Sequence, residues 1–87
     1  MAANPTTNQQ TPIDDGKPLA TLNRGGDRQL RIRWREFKGY HFLDLREWAR
    51  RDEQSPYWPV KGRGITVKAH ELADVAKALG EALELSR

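Results

Sequence analysis

No cysteine occurs in the 87-residue chain, which excludes a disulfide framework, a thiolate metal site and a thiol nucleophile. Serine is scarce, at Ser55 in a loop-like stretch and Ser86 near the end, so no hydroxyl nucleophile stands beside a base. The two histidines, His41 and His70, fall in different segments with no carboxylate at metal-ligand spacing, and neither a metal nor a cofactor is expected. No apolar run approaches the roughly 18 residues of a membrane span. The opening MAANPTTNQQTPIDDGKP lacks the hydrophobic segment of a secretory leader. A cytoplasmic protein without membrane contact is the expectation. So short a chain buries a modest share of its surface, and association of copies is the remaining common source of stability.

What the chain does contain is unevenly placed. The formal charge is +3, but positive charge concentrates in the middle, from Arg24 to Arg51 and again from Lys61 to Lys68, while the segment after Ala69 is mildly acidic. Such a distribution suits a polyanion partner. Most of the aromatic residues lie in the same middle region, among the arginines of RWREFKGYHFLDLREW, Arg33 to Trp48.

Residues 1–17 are rich in Asn, Gln, Thr, Pro and Asp; they read as a disordered tail, followed by one domain over 18–87. Leu19–Asn23 is a short first strand, ended by Gly25-Gly26-Asp27. Gln29–Phe37 alternates, with Leu30, Ile32 and Trp34 on one side and Arg31, Arg33, Arg35 and Phe37 on the other. Lys38-Gly39 then separates it from a second alternating run, Tyr40–Trp48, the pattern of a hairpin. Here His41, Leu43 and Leu45 share one face, and Tyr40, Phe42, Asp44, Arg46 and Trp48 the other. Ala49–Val60 reads as a loop and Ile65–Val67 as a fourth strand. Leu72, Val75, Ala76, Leu79 and Leu83 form one apolar stripe at helical spacing. The predicted fold class is α+β: a four-stranded antiparallel curved sheet followed by a C-terminal helix that covers one face. Part of the helix stripe, at Leu72, Leu79 and Leu83, is the expected dimer interface.

The face bearing Arg31, Arg33, Arg35, Phe37, Lys38, Tyr40, Arg46 and Trp48 has the makings of a single-stranded nucleic acid surface. Cations neutralise phosphates, unpaired bases stack on rings, and both contacts must lie within one nucleotide. The plainer reading is a solvated sheet face whose arginine stems cover the rings. Lys61-Gly-Arg63-Gly adds two cations beside the fourth strand, although in a regular strand Arg63 would share the face of Ile65 and Val67. Asp44 and Glu47 lie on opposite faces and cannot act as an acid–base pair; a binding module, not an enzyme, is expected. A protein–protein adaptor holding an acidic partner on the same face is the alternative.

Three ordered motifs extend this reading. Arg35-Glu-Phe-Lys-Gly39, Phe42-Leu-Asp-Leu-Arg-Glu47 and KGRGITV from Lys61 to Val67, with a helix after them, resemble the single-stranded-DNA-binding domain of the transcriptional positive cofactor four family over roughly residues 19 to 83. The resemblance implies a homodimer whose curved sheets offer channels to single-stranded DNA, with RNA or melted duplex as further candidate ligands and the transcription machinery as a candidate partner. It implies a stacking role for Phe37, phosphate contacts for Arg35, Lys38 and Arg46, and a basic position before the last strand at Arg63. It also implies action in transcription, replication or repair, and a nucleoid association in a bacterium. Two departures stand out: Ala49 follows Trp48 where the family often has a second aromatic, a position left for Tyr57 or Trp58 of the longer loop to fill, and Tyr40 stands where a basic residue is common. The long regulatory region of eukaryotic members is absent, so the compact chain resembles bacterial or phage members.

Overall fold

Lys38 and Gly39 set the centre of the fold. Both take left-handed backbone, with φ 52° and 85°, as a two-residue type I′ turn requires. The turn joins β2 (Arg28–Phe37) to β3 (Tyr40–Ala49) in unbroken antiparallel register, from Phe37↔Tyr40 to Arg28↔Ala49. The hairpin expected from the alternation is present.

The computed structural model describes residues 16–87. Residues 1–15 of the expected disordered tail lie outside the described residues. Lys17, the last residue assigned to that tail, instead pairs with Trp34 and opens β1 (Lys17–Asn23). Backbone pairing does not require an apolar side chain, so the strand begins before the pattern shows it. β1 is an edge strand, which is why Pro18 and the register shift between Pro18 and Ala20 are tolerated there.

β4 (Trp58–Lys68) is longer than the sequence suggested. Pairing already starts at Ala49↔Trp58 and Trp48↔Pro59, inside the expected loop. The residues from Val60 to Arg63 then stand opposite Glu47 alone, until Arg46↔Gly64 resumes the ladder. This bulge turns at Gly62, whose φ of 79° suits glycine. The four strands lie in the order β1-β2-β3-β4, an open meander.

Register assigns the two faces, because cross-strand partners point the same way. Arg31↔Arg46, Arg33↔Asp44, Arg35↔Phe42 and Phe37↔Tyr40 share one face. Ile32↔Leu45, Trp34↔Leu43, Ile65↔Leu45 and Val67↔Leu43 share the other.

After a single 3₁₀ turn (Ala69–Glu71), α1 runs over Leu72–Leu85, straight through Gly80. The Glu71 carboxylate accepts the Lys68 backbone N–H at 2.9 Å and fixes the exit from β4. The expectation that the helix covers a sheet face is corrected here. No residue of α1 is buried, and Leu79, Leu83 and Leu85 are exposed. The helix leaves from the end of the edge strand, and among the described residues its stripe is half-buried only at Leu72 and Val75 and left exposed at Leu79 and Leu83. Among the described residues, Trp48 and Val67 are the buried hydrophobic ones, on opposite faces of the sheet.

Candidate nucleic-acid interface

The arginine-bearing face is built on a buried polar layer. Asp44, 1% exposed, accepts from the Arg33 guanidinium at 2.7 Å, and Arg33 is itself 4% exposed. The second Asp44 oxygen faces Arg46 at 3.6 Å. One carboxylate thus holds two neighbouring guanidinium groups. A buried carboxylate without such partners would be several kcal/mol unfavourable.

Trp48 and Arg33 depart most from expectation. Trp48, expected as an exposed stacking ring, is 2% exposed. Arg31 lies over its ring at 4.2 Å and Arg33 at 5.3 Å. Arg31 also lies 5.3 Å from the Tyr57 ring, and Arg50 lies 4.9 Å from that same ring. Asp27 then holds Arg50 twice, through its side chain at 2.8 Å and its backbone carbonyl at 3.0 Å. The hydrogen bond to Asp27 raises the Arg50 pKa further above its ordinary value. Alternating rings and guanidinium groups therefore fold the segment after β3 back over Trp48. Parity assigned Trp48 its face correctly; the cover came from residues read as loop.

Next to this layer lies a cleft of about 430 Å³ lined by Arg33, Arg35, Arg46, Trp48, Pro59 and Lys61. Lys61 reaches it because the bulge changes the parity of β4. Gly64 seats Arg46: a Cβ there would collide with the Arg46 guanidinium. Beyond the cleft, at the hairpin, Phe37 and Tyr40 are 64% and 78% exposed. Lys38 Nζ stands 5.3 Å from the Phe37 ring, and Arg35 lies 5.7 Å from the Phe42 ring. The structure therefore brings Arg35, Arg46 and Lys61 around one cleft, with Phe37, Lys38 and Tyr40 at the adjoining turn.

Arg63 does not join them. It lies on the opposite face, 3.6 Å from Glu47, which also pairs with Arg28. With Leu30, Leu45 and Ile65 it lines a separate cleft, as strand parity demands. The Arg28 hydrogen bond holds the Glu47 carboxyl below its usual pKa, against the opposing effect of burial and with further help from the charges of Arg28 and Arg63. Of the expected dimer residues, Leu72 is half-buried at the helix start, and Leu79 and Leu83 are exposed.

Sequence reasoning named Tyr57 only as a candidate second aromatic after Trp48, and missed its clasp with Asp27 and Arg50 as well as Gly64 as the seat of Arg46. For Gly64 the signal is a glycine directly before the β-branched run Ile65-Thr66-Val67. Among the described residues no group of three or more His, Asp or Glu side chains is placed to hold a metal ion, and no helix is long and apolar enough to cross a membrane.

No protein-family model matches the chain, and no curated protein matches it by sequence. Solved structures do. A PC4 homolog from Burkholderia pseudomallei K96243, in its orthorhombic crystal form, superposes with a TM-score of 0.67 at 26% identity, over 83% of this chain and 95% of the homolog. The tetragonal form gives 0.66 at 26% identity, over 84% and 100%. The fold of this chain, a four-stranded meander with a terminal helix, is thus similar to that of solved PC4 homologs, the family that Arg35–Glu47 and Lys61–Val67 resemble.

Proposed function

We propose that the protein binds single-stranded DNA as a homodimer with little dependence on sequence, in transcription, replication or repair. The observation that carries this reading is the cleft of Arg35, Arg46 and Lys61 running into the exposed rings of Phe37 and Tyr40. Cations and rings lie side by side there, the combination that single-strand binding uses for phosphates and unpaired bases. The likeness to a PC4 homolog supports the same reading. Arg35, Lys38, Arg46 and Lys61 are the phosphate contacts, and Phe37 and Tyr40 the stacking rings. Arg31, Arg33 and Trp48 support these groups from below, and Arg63 is withdrawn from the contact set. RNA of the same single-stranded form offers the same contacts, and melted duplex exposes them. The role is binding, without turnover.

Fluorescence anisotropy of a labelled oligothymidine of about 20 nucleotides, beside its duplex, tests this at two salt concentrations. The expected result is preference for the single strand, with a log–log salt slope near −0.7 for each phosphate neutralised. Equal binding to both forms, or none, would overturn it.

A further inference from the structure

A second cleft, of about 600 Å³, opens between the hairpin and the start of the helix. Phe37, Tyr40, Phe42, Thr66, Lys68 and His70 line it. Register places it on the arginine-bearing face: Phe37 pairs with Tyr40, Lys68 with Phe42, and Thr66 with Asp44. Its size lies within the range of small-ligand sites. No acidic side chain lines it, while cations surround it: Lys68 in the wall, Arg35 over the Phe42 ring and Lys38 beside the Phe37 ring.

We propose that this cleft is a nucleobase slot, in which an unpaired base of the bound strand stacks on Phe42 and Tyr40 while Thr66 and Lys68 face its polar edge and the adjoining phosphate. The inference rests on the single-strand reading above, shares Tyr40 with it, and adds Phe42, Thr66 and Lys68. Three rings provide apolar area for a planar heterocycle. The Thr66 hydroxyl both donates and accepts, so it can meet a base carbonyl or a ring nitrogen. A protein side chain would also fill the space, but an acidic peptide carries its charges at no fixed distance from its rings. In a nucleotide the phosphate is tied to its base through one sugar, and here Phe37 has Lys38 at 5.3 Å and Phe42 has Arg35 at 5.7 Å. The slot continues the first cleft along the same face, so one strand can occupy both.

The test compares oligothymidine with an abasic strand of equal length at low salt, using Phe42→Leu and Thr66→Leu. Position 66 is exposed on the strand, so Thr66→Leu narrows the slot without disturbing the interior, whatever Phe42→Leu does to folding. Each substitution should weaken oligothymidine binding about tenfold, the loss of one base stack. Affinity for the abasic strand and the salt slope should not change. Unaltered oligothymidine affinity, or an equal loss on both strands, would overturn the slot alone. Failure of the unsubstituted protein to bind either strand would overturn the single-strand reading and the slot with it.

Discussion

Lys38 is the one described non-glycine residue with positive φ. A left-handed lysine costs about 1–2 kcal/mol, whereas asparagine adopts that backbone more readily. Strain kept at a ligand-facing turn suggests a functional reason, here a cation beside the exposed Phe37 ring. Lys38→Asn should raise stability by roughly 0.5–1 kcal/mol in urea denaturation. It should also weaken single-strand binding and reduce the salt slope by about 0.7; unchanged binding would remove Lys38 from the phosphate contacts. Gly64 makes the converse case. A methyl group there meets the far end of a flexible arginine, so the guanidinium moves and the backbone stays. Glycine within a strand is itself unfavourable by about 0.5–1 kcal/mol. Gly64→Ala should therefore leave stability unchanged or higher, yet weaken binding as Arg46 leaves its seat, and calorimetry with the same oligonucleotide would separate the two effects.

The hairpin and the segment that closes over it differ in what their sequences disclose. Gln29 to Phe37 and Tyr40 to Trp48 were legible because a period of two names both the strands and their faces, and Lys-Gly names the turn. The start of β4 at Trp58 was not, because it falls in the stretch Ala49–Val60, whose two prolines, Pro56 and Pro59, and adjacent Tyr57 and Trp58 read as loop. Its pairing with Trp48 and Ala49 closes over an irregular connection, and the bulge beyond it breaks parity. The burial of Trp48 depends on that same tertiary closure, which local patterning cannot express. Tyr57 holds two guanidinium groups, and each such contact contributes about 0.5–1 kcal/mol at a partly exposed site. Tyr57→Leu should cost about 1–2 kcal/mol and speed amide exchange in residues 50–55. Unaltered exchange would show that the Asp27–Arg50 bonds close the segment alone. At the same end of the sheet, Glu47 has its folded pKa lowered from the ordinary 4.5. Folding thus favours the ionised form. Its contribution is complete above about pH 4.5 and is lost as pH falls through the folded value. Glu47→Gln should reduce the decline in stability below that pH, as followed by denaturation midpoints.

At the scale of the molecule, one chain is an incomplete solution to its own hydrophobic pattern. Ile65 is 61% exposed on the face opposite the arginines, and Leu79 and Leu83 are exposed on a helix that covers nothing. With Trp48 and Val67 as the buried hydrophobic residues among those described, an 87-residue chain without cysteine has little to offset the entropy of ordering. A second copy offers the same apolar face and the same stripe, and two-fold pairing covers both at once. Sedimentation equilibrium at micromolar concentration should accordingly give about twice the chain mass of 10.0 kDa. Leu79 and Leu83 lie one turn apart and face one way, so Leu79→Glu with Leu83→Glu places two charges in the stripe that pairing would cover. That variant should sediment as a monomer, melt at lower temperature, and lose affinity for a strand long enough to engage two copies while binding a short strand nearly as before. A monomeric unsubstituted protein that melts cooperatively would instead show that this single sheet sustains itself, and the exposed leucines would then need a different partner.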